Sequence, residues 1–408
     1  MVLLAIFASL FFVFSLISGR LERTILTAPI VFTATGMLMF FVHAPIVKAG
    51  FNATVFLSLA EMVLVLLLFT DASQTKLVGL RNVESLSIRL LSVGMLLSIA
   101  LGTLIALLVF PKLSIWEAGI LAAILAPTDA GLGQIIVDSP RVPIRIREAL
   151  RVEAGLNDGL SVPFLLFFMA IAAAKIEGGP MALTQFIGEQ LGLGALIGVA
   201  IGFGGGWMMN LARRKEWVAE EFQPIGVVAL PLLCLALSEK LAASMFIASF
   251  VAGLALQVGL KDEARQSVKF SGQWGELANL AVFFLFGLIV FRSFPQFQPV
   301  FWLYAILSLT IVRMLPVAIA LIGTGLIPAS VLFMGWFGPR GLASIVLGLF
   351  YLEHELKLPG EPTMRLAVMV TVLLSIFVHG LSANRGISIY NRAGRGASEL
   401  LPKCFSYH

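Results

Sequence analysis

The chain has 408 residues, of which 59% are hydrophobic and 12% charged, and its mean hydropathy is +0.98. That balance excludes a soluble or disordered protein and leaves a single membrane domain. The net charge of +5 says nothing of nucleic acid until the basic residues are sorted by loop, and two cysteines (Cys234, Cys404) and four histidines supply neither a disulfide framework nor a metal cluster.

At about 20 apolar residues per crossing, apolar runs fall at 2–18, 25–41, 55–70, 90–110, 115–137, 148–174, 186–211, 225–237, 242–258, 277–291, 300–322, 329–351 and 364–381. These thirteen runs predict an all-α polytopic protein. The first run has no basic stretch before it and Arg20 and Arg23 after it, so it reads as a retained helix rather than a signal peptide. Odd-numbered loops and the tail carry nineteen Lys and Arg, the even-numbered loops seven. Cytoplasmic loops are the basic ones, so the N-terminus is expected outside a cell (plasma or inner) membrane and the C-terminus in the cytoplasm. The stretch 382–408 reads as a short cytoplasmic tail with no regulatory domain attached. Arg141, Arg145, Arg147 and Arg151 form a basic stripe that suits anionic lipid and needs no nucleic acid.

Ionisable groups inside spans cost about 3 kcal/mol or more each, so each is a functional candidate. In chain order they are Glu61 and Asp71 in the third run, Asp129 in the fifth, Glu153 and Asp158 in the sixth, Arg313 in the eleventh and Arg340 in the twelfth. Arg313 is expected to satisfy carbonyls or a carboxylate. The glycine run at 202–206 looks like a phosphate loop, but within an apolar span it reads as a helix-packing stripe.

Two of these charges sit in helix-breaking sequence. Asp129 lies in Ala126-Pro127-Thr128-Asp129-Ala130-Gly131, and Arg340 in Phe337-Gly338-Pro339-Arg340-Gly341, each at the middle of its run. The runs are seven apart and so cross the bilayer in opposite directions. A matched pair of interrupted helices in antiparallel halves points to an inverted-repeat transporter whose site lies where the breaks meet. Asp129 is poised either to cap its broken helix or to act as a ligand. In the sixth run Ala154, Asp158 and Ser161 share one helix face, with Glu153 and Asn157 on the neighbouring one. A carboxylate at membrane depth avoids a naked charge by binding a proton or a monovalent cation, and that choice is itself an exchange mechanism. Asp158 is the best-placed such group, with Thr128 and Ser161 as added oxygen ligands and Asp71 as a further candidate. An intramembrane enzyme would need a nucleophile and base, and His379 is the only histidine near a span interior, without a Gly-x-Ser-x-Gly segment. A passive channel is a third reading.

These residues resemble the monovalent cation:proton antiporter family, in particular its sodium/proton exchanger branch, over nearly the whole chain. Thr128-Asp129 is similar to the family's unwound crossing, Glu153 through Asn157-Asp158 to its Glu-x-x-x-Asn-Asp helix, and Gly338-Pro339-Arg340-Gly341 to its partner crossing. Leu68-Phe69-Thr70-Asp71 and Val378-His379-Gly380-Leu381 are weaker echoes, while Ala154 and Asp71 depart from the common pattern. The resemblance implies thirteen helices, a dimer-forming panel and a six-helix transport core within residues 1–381, and a homodimer. It implies that Asp158 is the exchanged carboxylate, with Na+ held at Asp158 and Thr128, and that Glu153 forms a structural ion pair with Arg340. The Asn-Asp pair implies electroneutral exchange of one H+ per Na+ or Li+, without a cofactor. A potassium/proton antiporter or K+ efflux component of the same fold is the alternative.

Overall fold

The computed structural model describes residues 2–21, 24–50, 53–74, 84–129, 131–177, 188–219, 221–260, 265–353 and 357–400, and among these every regular element is helical. Helices α1 (Val2–Leu21), α2 (Ala28–Gly50) and α3 (Ala53–Gln74) take the first three apolar runs. The fourth run is α4 (Glu84–Arg89) passing through a π-turn into α5 (Met95–Val109), and the fifth is split into α6 (Ile115–Ile124) and α7 (Gln134–Val137). There follow α8 (Ile144–Glu177), α9 (Gly194–Arg214), α10 (Phe222–Lys240), α11 (Met245–Gly259) and α12 (Arg265–Ser293). The eleventh run divides at Thr310 into α13 (Pro299–Leu309) and α14 (Ile311–Ala320), and the twelfth into α15 (Pro328–Trp336) and α16 (Leu342–Glu353). The chain's last described helix is α17 (Glu361–Leu400).

Among the described residues nine helices are long and apolar enough to cross a membrane, and four shorter apolar helices accompany them. The chain is a multi-pass membrane protein. Both expected interruptions are present: α6 stops ahead of Pro127 and α15 ahead of Gly338-Pro339, because proline cannot donate a backbone hydrogen bond and forces its predecessor out of the helical region. Where the sequence places the end of the last span at Leu381, the helix instead continues to Leu400. Gly380 alone does not stop it, no proline follows before Pro402, and three bonds hold the extension. Asn384 Nδ2 donates to the Thr24 carbonyl at 2.9 Å, Trp336 Nε1 to Ser382 Oγ at 3.1 Å, and Ser330 and Tyr390 share a hydroxyl pair at 3.0 Å. Of the residues used for orientation, Arg23, Lys76, Arg81, Lys261 and Lys403 lie outside the described residues, as does Cys404.

The helices pack in two groups. In the first, called the panel below, α9 lies on α11, α11 on α3, and α12 on both α2 and α3. Glycines set its close approaches: Gly198, Gly202 and Gly206 face Ala248, Ala252 and Leu256 of α11, so the glycine run is a packing stripe. Ser249 Oγ donates to the Val65 carbonyl and Gln257 Nε2 to that of Ala72, both at 2.6 Å, tying α11 to α3. In the second group, called the core below, α5 lies on α6, α6 on α8, α13 on α17, and α14 on α5 and α15. No residue of α1 is buried, and Leu4, Phe12, Val13 and Leu16 are exposed along it.

The α2–α12 crossing depends on two glycines: a Cβ on Gly287 would strike the Thr33 carbonyl, and one on Gly36 that of Phe284. Gly287→Val should therefore cost about 1–3 kcal/mol, read as a lowered unfolding midpoint in detergent. Gly204→Val, where a Cβ meets nothing within 4 Å, should leave that midpoint unchanged.

Candidate functional site

The two broken crossings meet and satisfy each other's backbone. The Asp129 N–H donates to the Pro339 carbonyl at 2.8 Å. Asp129 Oδ1 accepts from the Leu132 N–H at 3.0 Å and Oδ2 from the Leu342 N–H at 2.7 Å, so one buried carboxylate caps the turn leading to α7 and the start of α16. Of the two roles open to Asp129, this geometry is that of the cap. A Cβ on Gly341 would fall on this carboxylate, which requires glycine there. Arg340, 1% exposed, does the converse: its Nη1 donates to the carbonyls of Ala126 at 2.5 Å and Pro127 at 2.9 Å, closing the C-terminal end of α6. Its backbone N–H donates to Ser375 Oγ at 2.7 Å. His379, on α17, spans from Ser375 to the Trp336 carbonyl, 2.9 Å from its Nε2, and so braces the end of α15.

The expected pairing of Glu153 with Arg340 is corrected. Glu153 forms a two-point salt bridge with Arg313 of α14, with Oε1–Nη1 at 2.5 Å and Oε2–Nη2 at 2.9 Å, both side chains being buried. The reason is one of demand: the broken end of α6 leaves carbonyls that take the Arg340 guanidinium, while planar Arg313 matches the carboxylate edge. Arg313 also fills the space beside Gly338, where a Cβ would collide with its guanidinium.

Asn157 turns its Nδ2 to Thr128 Oγ1 at 2.6 Å, which fastens α8 to the first break. Its Oδ1 is buried and makes no hydrogen bond. Asp158 is half-buried, and its Oδ1 likewise has no donor. The structure thus brings Thr128, Asp129, Asn157 and Asp158 together, with Asp158 in electrostatic range of Asp129 and Asp71. Ser161, fully buried, lies one turn further along α8, and its hydroxyl donates to the Asp158 carbonyl at 2.8 Å.

A cavity of about 290 Å3 opens between panel and core. Its core wall includes Thr128, Asp129, Gly131, Ala154 and Pro339; its panel wall includes Leu67, Thr70, Asp71 and Gln74 of α3 with Gly272 and Glu276 of α12. Asp138 and Arg151 lie at its rim, joined by an exposed 3.2 Å ion pair. Asp71 packs against Gly155, three residues before Asp158, whereas Glu61 is buried on α3 and does not line the cavity. Glu276 escapes the sequence reading because it falls one residue outside the tenth apolar run, and Glu117 because it sits at a span's edge. Glu117 closes a capping box with Ser114 and also accepts the Gly360 N–H at 2.6 Å. Among the described residues no three His, Cys, Asp or Glu are arranged to hold a metal ion. A carboxylate with an open oxygen beside neutral oxygens suits a proton or a monovalent cation.

A family model described as sodium/hydrogen exchanger, transmembrane, matches residues 5–385. The chain is 26% identical over 272 residues to the K+/H+ antiporter NhaP of Alkalimonas amylolytica, covering 65% of this chain and 46% of that protein. It is 26% identical over 335 residues to a Na+/H+ antiporter of Saccharomyces cerevisiae, covering 78% and 34%. The chain thus spans about half or less of the length of these two curated relatives. The structure of the sodium proton antiporter MjNhaP1 from Methanocaldococcus jannaschii at pH 8 superposes with a TM-score of 0.72 at 18% identity, covering 92% of this chain and 98% of that one.

Removing one member of the Glu153–Arg313 pair leaves the other charge buried alone, so Arg313→Ala should destabilise by about 3–5 kcal/mol. The double variant Glu153→Leu with Arg313→Met should recover most of that loss in thermal unfolding. Equal loss in single and double variants would contradict the pairing.

Proposed function

The chain belongs to the sodium/hydrogen exchanger family, and from that premise we propose that it is a secondary antiporter exchanging a monovalent cation for H+ by alternating access, with Asp158 as the group that both ions share. The observation that carries this reading is the Asp158 Oδ1 oxygen, buried without a donor beside the crossed breaks. Buried acceptors are normally hydrogen-bonded, and an oxygen left open one helical turn from a residue that lines a cavity is one that a proton or cation completes. The cavity reaches Thr128, Asp129 and Ala154, the last on the same face of α8 as Asp158. Thr128 and the open Oδ1 of Asn157 are the neutral ligands, and Asp71 the second carboxylate on the approach.

The exchange ratio follows from the same inventory. Of the three buried or half-buried core carboxylates at the site, Asp129 is held by backbone N–H groups and Glu153 by Arg313, which leaves one to titrate. One carboxylate holds one ion at a time, so one H+ exchanges for one cation and no net charge moves. Na+ or Li+ is the first choice of cation. K+ is the alternative, supported by the naming of relatives as both Na+/H+ and K+/H+ antiporters. The basic loops support an orientation with the N-terminus outside and the cavity rim, with Arg151, at the cytoplasmic face of the plasma membrane. The exposed apolar face of α1 supports a homodimer formed through the panel.

In vesicles carrying a pH dye, Asp158→Asn and Asp158→Ala should abolish dequenching by NaCl, LiCl or KCl at normal expression, and Asp158→Glu should retain part of it. Full activity in Asp158→Ala would contradict the mechanism. Because proton and cation compete for one oxygen pair, the apparent KM for the cation should rise as pH falls. Under one-proton competition the rise approaches about tenfold per pH unit, and a KM independent of pH would contradict shared occupancy.

A further inference from the structure

Helix α12 belongs to the panel, yet it sends a polar face to the broken crossings that the reading above does not use. Gly272 and Glu276 line the cavity, and Asn279, three residues further on, lies on the same helix face. Asn279 is 4% exposed, and its Oδ1 makes no hydrogen bond. Its amide faces the unwound link of the first crossing. The point where a Cβ would stand on Gly131 is 3.6 Å from Asn279 Nδ2 and 3.1 Å from Asp129 Oδ1, and Gly131 itself lines the cavity. Only a glycine separates this amide from the Asp129 carboxylate. Immediately past Asn279 the helix turns apolar: Leu280, Phe283 and Phe284 are buried, so Asn279 is the last polar group before a hydrophobic plug. The face therefore runs from a cavity-exposed carboxylate to a buried amide with an open carbonyl oxygen, one turn apart.

We infer that Glu276 and Asn279 form a panel-side waiting site for a partly dehydrated monovalent cation, from which the ion passes to Asp158. The inference rests on the exchange reading proposed above and adds to it a second, stationary set of ligands. Glu276 balances the charge of the entering ion, and the Asn279 oxygen replaces one of its waters. An amide does not titrate, so this oxygen serves the cation and offers nothing to the competing proton. The pair sits on the panel rather than on α8, which carries Asp158, so it meets the ion only from the side to which this cavity opens.

That sidedness is the test. The full chain is compared in everted and right-side-out vesicles, with NaCl, LiCl and KCl as probes and the apparent KM and maximal rate read on each face. Asn279→Ala should raise the KM about tenfold on the face bearing Asp138 and Arg151, leaving the KM on the opposite face and the maximal rate near wild type. Glu276→Gln, at an exposed position, should raise the same one-sided KM by a smaller factor. If Asn279→Ala does not fold, the volume-matched Asn279→Asp decides, with a one-sided fall in KM at alkaline pH expected. An unchanged KM in these variants, or a change of equal size on both faces, overturns the waiting site while leaving the antiport reading intact. A wild-type chain that exchanges none of the three cations fails the antiport reading itself, and the waiting site with it.

Discussion

A peptide chain that unwinds inside hydrocarbon leaves N–H and C=O groups that no water can satisfy, and this protein does so twice at the same depth. Its solution is reciprocal. The carboxylate of Asp129 takes N–H groups from both crossings, the guanidinium of Arg340 covers the carbonyls that α6 leaves open, and the Asp129 N–H closes on Pro339. Each break supplies the charge that the other, or its own continuation, needs. Neither could exist alone at this depth, so the pair behaves as one rigid brace within the core.

That brace decides which groups remain free for chemistry. Asp129 and Arg340 are held by backbone, Glu153 and Arg313 by each other, and Thr128 by Asn157. What is left is an acidic oxygen at Asp158 and a neutral one at Asn157, close behind Thr128 and Ala154, which line a cavity whose far wall is the panel. On the proposed reading, an open carboxylate in this setting makes the occupant's charge decisive, because a proton and a cation each neutralise it. The small residues of the panel, Gly36 and Gly287 above all, let α2 and α12 approach closely.

Much of this was legible in the primary structure because its signals are local. Pro127 and Pro339 announce the breaks, and the four-residue interval from Ala154 to Asp158 places the carboxylate on a face with Ala154, which the cavity reaches. What stayed hidden depends on distance in space. Glu153 has two buried arginines within reach of its helix, and no spacing rule tells which one accepts it; the carbonyls freed by Pro127 settle the matter by taking Arg340. Glu276 and Asn279 sit at the edge of an apolar run, where a polar residue reads as a boundary, and only the packing of α12 on α3 turns Glu276 toward the cavity and leaves the Asn279 amide near Gly131. The helical extension past Leu381 is likewise held by partners from two other segments, Thr24 ahead of α2 and Ser330 and Trp336 of α15.

The central claim is that one carboxylate exchanges a proton for a cation, and direct counting tests it. Purified protein in weakly buffered detergent solution is titrated with NaCl, LiCl and KCl while released protons are measured with a pH indicator against cation bound by calorimetry. The account predicts a release approaching one proton per bound cation where the site begins protonated, and neither binding nor release in Asp158→Asn. Cation binding without proton release at any pH, or undiminished release in Asp158→Asn, would contradict it.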